Sequence, residues 1–224
     1  MRVFTQADHQ RVTAAVAKAE ETSDGEIVTI VAPRSDAYHD VGLHYAVLAM
    51  LLVPAVLAVL PQGWIDWATG LFLGWNASLA RGAAMAMLFA ILASVFLIVR
   101  FALAWMPLRM ALTPGSTKTR RVRRRAIEMF RASAEHRTKG RVGILLYVSL
   151  LEHRAEIVAD EAIHSKVEPD VWGEAMAVLV ERVKAGEPGE GMAAAVEQIG
   201  TVLAGIIPKT ATDTNQLPDR LIEL

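Results

Sequence analysis

Between residues 43 and 108 the chain carries only three charged side chains, Asp66, Arg81 and Arg100. That near-absence of charge restricts the fold more than any other property. Residues 43–60 read LHYAVLAMLLVPAVLAVL and residues 82–99 read GAAMAMLFAILASVFLIV, both uncharged. A helix of about 20 apolar residues crosses the ~30 Å hydrocarbon layer of a bilayer, and each stretch reaches that length with its flanks. Core helices of soluble proteins keep a polar face, which neither stretch has. Pro54 falls inside the first stretch, where bilayer helices accommodate it as a kink. Trp64, Trp67, Trp75 and Trp105 stand near the ends, where amphipathic rings favour the headgroup layer. The intervening segment 61–81 is apolar but broken by Gly63, Gly70 and Gly74. It is too short for a third crossing and reads as an interfacial or re-entrant element. The expectation is a two-helix transmembrane hairpin over residues 43–105.

The net charge of −1 hides an uneven distribution. Residues 1–42 hold four Lys/Arg against seven acids, residues 109–141 eleven against two, and residues 142–224 six against fourteen. The basic segment sits at the exit of the second span, and positive charge near span ends stays cytoplasmic. Residues 1–42 and 106–224 are therefore expected on one side, with both termini cytoplasmic. The chain has no cysteine. That excludes a disulfide scaffold, a cysteine nucleophile and cysteine-based zinc or iron–sulfur sites.

Outside the hairpin the pattern is that of a small α/β domain. In residues 5–22, Val12, Ala15, Val16 and Ala19 recur at helical spacing, and Thr5 with Asp8 forms a candidate capping box. Residues 26–32 (EIVTIVA) read as a β-branched strand. Residues 119–136 form a basic amphipathic helix with Val122, Ala126, Met129 and Phe130 on one face. Residues 142–149 (VGILLYVS) read as a strand buried on both faces. Glu152, His153 and Arg154 make a turn into a third strand at 155–159. Helices follow over 168–186 and 190–206, split by the turn at 186–189 (GEPG) and ended by Pro208. A lone strand at 26–32 is not stable, so it must pair across the hairpin, and a parallel pairing needs a crossover. The expected division is a split cytoplasmic domain, 1–42 with 106–207, the hairpin 43–105, and a loose polar tail 208–224.

The run DGEIV at 24–28, TKGRVGILLYVS at 138–149, EHRAEIV at 152–158, Asp160, a helix holding Trp172, and LPD at 217–219 together resemble the TPM-domain family in its bacterial membrane branch. The likeness covers roughly residues 5–35 and 120–207. It implies a small α/β/α sandwich, here interrupted by the hairpin, and a two-pass bacterial inner-membrane location. It also implies possible roles as a phosphatase, a calcium binder or an assembly factor of membrane complexes. Many members carry a Gly-x-Gly-x-Glu stretch after the third strand. Here residues 159–163 read ADEAI, without either glycine.

Two groups of residues carry candidate chemistry. Asp160, Glu161 and Asp170 follow the third strand, and oxygen ligands of this kind suit a hard cation, Ca2+ or Mg2+. The competing reading makes Asp170 a helix cap and the others solvated turn acids. Asp24 and Glu26 flank the first strand, Asp24 at what looks like the opposite end from Asp160. Arg120, Arg121, Arg123, Arg124 and Arg125 form a basic run just after the second span, suited to anionic lipid headgroups or simply to fixing topology. No aromatic residues interleave with these arginines, which argues against nucleic acid as a partner. His153 is expected at an exposed hairpin tip, and His136 and His164 have no visible partner. There is no P-loop, dinucleotide fingerprint, nucleophile elbow or zinc-protease helix. The expected function is a non-enzymatic interaction or assembly module at the cytoplasmic membrane face, with lipid headgroups and a membrane protein as partners. The alternative is a divalent-metal-dependent phosphatase using the acidic cluster near Asp160.

Overall fold

A computed structural model describes residues 4–73, 80–133, 142–167, 169–210 and 217–224. Trp75, His136 and the stretch 138–141 of the resemblance fall outside them. The chain divides into two compact units, one from the segments up to Asp36 and from Gly115 onward, the other Ala37–Pro114.

The first unit is built on a four-stranded sheet in the order β3-β2-β1-β4. α1 (Gln6–Glu20) opens with the Thr5 cap, and Asp8 N donates to Thr5 Oγ1 at 3.2 Å while Thr5 N donates to Asp8 Oδ2 at 3.0 Å. β1 (Glu26–Ala32) and β2 (Gly143–Ser149) run parallel from Glu26 opposite Gly143 to Ala32 opposite Ser149. β3 (Arg154–Ala159) returns antiparallel to β2 through a turn at exposed His153, whose backbone is left-handed (φ 47°). The crossover between β1 and β2 contains the whole hairpin unit and α6 (Gly115–Ser133).

Side chains alternate across the sheet, as strand geometry requires. Ile27, Val31, Ile144, Leu146 and Val148 face α1, α8 (Gly173–Ala185) and α9 (Pro188–Ile206). Val28, Ile30, Ala32, Leu145 and Tyr147 face Val122, Ala126 and Phe130 of α6. Layers of helix, sheet and helix result, the α/β/α sandwich expected from the resemblance. α7 (Glu161–His164) and a 3-10 turn at Pro169–Trp172 lead into α8. Gly186 ends α8 in the left-handed conformation (φ 82°), and Pro188 starts α9. Gly200 lets α1 and α9 approach closely, since a Cβ there would stand 2.5 Å from Ala19 Cβ.

The tail is not loose where it is described. Leu217 and Leu221 are buried, and β4 (Ile222–Glu223) pairs parallel to β1 at Ile30 and Val31. Leu224 N donates to Val31 O at 3.1 Å. The reason is the free edge of β1, a strand buried along its whole length that needs cover on that side.

In the second unit α2 (His39–Val59) packs along α4 (Arg81–Ala102), with α3 (Gln62–Leu73) between them in sequence and α5 (Met106–Leu112) after them. α2 and α4 are long and apolar enough to cross a membrane. Their large apolar side chains point outward: Leu51 is 59% exposed, Phe89 73% and Phe101 70%. Arg109 does not serve there as a free topological charge. It is buried, its Nε donates to Leu103 O at 2.7 Å and its Nη1 to Ala37 O at 2.7 Å. One guanidinium thus joins the end of α4 to the start of α2.

Candidate functional site

α6 carries the basic run because its apolar residues keep helical spacing while arginines fill the remaining positions. The helix presents these arginines in two sets. Arg121 Nη1 lies 3.0 Å from Asp36 Oδ1, and Arg124 Nη2 lies 3.4 Å from Asp36 Oδ2. Glu128 is 3.3 Å from Arg125 and 3.9 Å from Arg124. These three arginines therefore already face carboxylates on one flank. On the other flank Arg120 has no ion pair among the described residues and is exposed. Arg123 is exposed too and stands within electrostatic range of Glu156 on β3. The sequence showed one run of like charge; the structure divides it into a neutralised flank and an open one.

The acidic residues expected near one another are arranged differently. Asp160 is buried and its Oδ2 accepts from Gly143 N at 3.1 Å. Because β3 runs antiparallel, its end lies beside the amino ends of β1 and β2, the end where Glu26 and Asp24 also stand. The carboxyl ends of parallel strands, where ligands of open α/β sheets gather, are not where Asp160 sits. Glu161 is exposed at the start of α7, and Asp170 is exposed within the 3-10 turn rather than at a helix start. Among the described residues no three His, Asp or Glu side chains stand close enough together to hold a metal ion.

Two buried carboxylates stand near the start of β1: Glu20, which escaped the sequence reading, and Glu26, which it placed at the edge of the first strand. Glu20 Oε1 accepts from Ile27 N at 2.8 Å, and Glu26 Oε2 accepts from Leu217 N at 3.0 Å. Burial pushes Glu20 up to about 8, against the lowering effect of the Ile27 hydrogen bond. Asp24 is held below the usual carboxylate range by Thr210, whose N and Oγ1 each donate to it at 2.7 Å. Asp24 holds Thr210 and Glu26 holds Leu217 beside the start of β1, while Glu20 ties the end of α1 to Ile27. At the other strand end Glu152 accepts from Ser35 N at 3.0 Å and from Ser149 Oγ, while Ser35 Oγ meets the buried Tyr147 hydroxyl at 3.1 Å. Burial raises the Tyr147 phenol above its ordinary value. These hydrogen bonds tie the exit from β1 to the turn after β2. The signal for these acids was weak because Glu20 sits at the end of an amphipathic helix, where exposed acids are ordinary.

Comparison with known proteins bears on the fold. No curated protein matches the sequence. Among solved structures, the NMR structure of the BA42 protein from the psychrophilic bacterium Bizionia argentinensis is similar at 15% identity and a TM-score of 0.56, covering 100% of this chain and 97% of that one. A family model described as TPM domain matches residues 108–202, the stretch that runs from α5 into α9. That stretch closes into one sheet only with β1 from before the hairpin, and it is over residues 108–202 that the chain matches the TPM domain.

Proposed function

We propose that the chain is a non-catalytic docking module anchored at the cytoplasmic face of a bacterial inner membrane. α2 and α4 are its membrane anchor, α6 contributes basic side chains toward anionic headgroups, and the sheet unit presents a surface to a protein partner. The observation that carries this reading is the outward display of large apolar side chains on α2 and α4, a surface that water-exposed proteins keep small. Support also comes from the sequence position of α6, which follows α5 with two residues between them. Lys/Arg near an anionic surface contribute about 1 kcal/mol each, so Arg120 and Arg123 suffice to orient a unit that the anchor already holds. Arg121, Arg124 and Arg125 contribute less while they face Asp36 and Glu128.

The test combines extraction and topology. The full chain is expected to stay in the membrane pellet after alkaline carbonate and to leave it only with detergent. A reporter after Leu224 is expected to be active in the cytoplasm, and one inserted near Gly70 outside it. Extraction by carbonate alone overturns the anchor, and a periplasmic C-terminus overturns the orientation. Turnover of a phosphomonoester with added Mg2+ or Ca2+, lost in both Asp160→Asn and Asp170→Ala, overturns the non-catalytic reading.

A further inference from the structure

The strand β3 is an edge of the sheet: it pairs with β2 and with no other described strand. Asp160 N donates to Gly143 O at 2.9 Å, which sets the phase of the antiparallel ladder. Hydrogen bonding to one neighbour alternates along such a strand. The peptide groups of Arg154, Glu156 and Val158 therefore turn toward β2, and those of Ala155, Ile157 and Ala159 turn outward. Natural edges are blunted by proline, bulges, short length or charge. β3 has six residues, no proline and no bulge in its register with β2.

A groove of about 500 Å3 follows this edge, lined by Thr119 of α6, Arg154 and Glu156 of β3, and Met176, Val180 and Lys184 of α8. Its two walls differ. Met176 and Val180 supply an apolar wall on the α8 side. On the α6 side Arg154 and Arg123 both stand within electrostatic range of Glu156. Arg154 Nε is buried without a hydrogen-bond partner among the described residues, and Arg120 adds a further open cation on the same helix. Glu156 and, at the rim, Glu181 are the opposing acids. Burial raises Glu156 above the ordinary carboxylate range, against the lowering effect of the two arginines.

We propose that the free edge of β3 docks an extended acidic segment of a partner protein, which adds as a fifth strand. Main-chain hydrogen bonds to Ala155, Ile157 and Ala159 give the affinity, in the manner of strand addition. Acidic side chains on one face of the added strand meet Arg123 and Arg154. Apolar side chains on its other face meet Met176 and Val180. The partner sequence is thus an alternation of acidic and apolar residues over about six positions, matching the length of β3. This gives the docking role proposed above an address and rests on that role, but not on the membrane anchor.

The experiment uses the full chain in detergent micelles and a fluorescein-labelled eight-residue peptide of alternating valine and glutamate. Fluorescence anisotropy is expected to show saturable binding. Amide exchange is expected to slow at Ala155, Ile157 and Ala159. A peptide with lysine for glutamate, and one N-methylated at alternate residues, are each expected to bind at least tenfold more weakly. Ile157→Pro removes an outward N–H without touching the ladder to β2 and is expected to weaken binding tenfold. Arg123→Gln alters only an exposed side chain, keeps the fold, and is expected to weaken it several-fold and flatten its salt dependence. Equal binding of the lysine or N-methylated peptide overturns the proposal. So does wild-type affinity in both variants, protection at Ile30 and Ile222 instead, absence of binding, or displacement of the peptide from β3 by phosphatidylglycerol vesicles. Carbonate extraction reads the anchor independently, so the two readings can fail separately.

Discussion

Thr29 sits in the middle of β1, fully buried, with its hydroxyl unpartnered among the described residues. An unsatisfied buried hydroxyl costs roughly 1–3 kcal/mol, and valine fills the same space without it. Thr29→Val is expected to raise stability by about 1 kcal/mol, measured by thermal melting in detergent. Glu20 poses the opposite problem, a carboxyl whose native environment prefers it protonated. Its ordinary value is 4.5 and its folded value about 8. Below 4.5 the proton is bound in both folded and unfolded chains, and stability does not depend on this group. Between 4.5 and about 8 the unfolded chain releases the proton first, so stability falls as pH rises, and above 8 it levels off. Glu20→Gln keeps an acceptor for Ile27 N and removes the titration. Its expected effect is a flatter stability profile from pH 5 to 8 and a gain on the order of 1–3 kcal/mol at pH 8. An unchanged slope in denaturant titrations across that range would remove Glu20 as the source.

At the scale of elements, the contact of α1 with α9 depends on Gly200. A side chain there meets Ala19, in helix backbone that cannot yield locally. Gly200→Leu is expected to cost about 3 kcal/mol, read as a lower melting temperature, while Gly205→Leu, where a Cβ meets nothing within 4 Å, is expected to cost far less. The elements also separate what sequence could reveal from what it could not. β1, β2 and the β2–β3 hairpin were legible because each is a run of β-branched or apolar residues bounded by a turn. β4 was not, because two paired residues leave no alternation to read, and Leu217 and the Leu221–Ile222 pair stand among polar neighbours. The direction of β3 is what moved Asp160 to the amino ends of β1 and β2; residue pattern specifies a strand but not which end it brings to its neighbours. The arginine run was legible as charge. Its division into two flanks depended on Asp36 and Glu156, which come from opposite sides of the sheet order.

For the whole molecule, the hairpin unit is an insertion in a domain whose two parts complete one sheet. Replacing residues 37–114 by a Gly/Ser linker of about a dozen residues is expected to give a chain that is soluble without detergent and melts cooperatively. Sedimentation and circular dichroism check this; an aggregated product without a cooperative transition would mean that the insertion supports the sheet. The same arrangement has a consequence during synthesis. β1 is complete at Ala32, but the strand that covers it on one side ends at Ser149, more than a hundred residues later. At about 5–20 residues per second, the ribosome takes roughly 6–25 s to supply it. Throughout that interval the nascent chain holds β1 without the neighbour that covers it, while the two long apolar helices are being made. A translation product stalled before residue 143 would leave that strand edge unpaired, and an unpaired apolar strand edge is prone to aggregation.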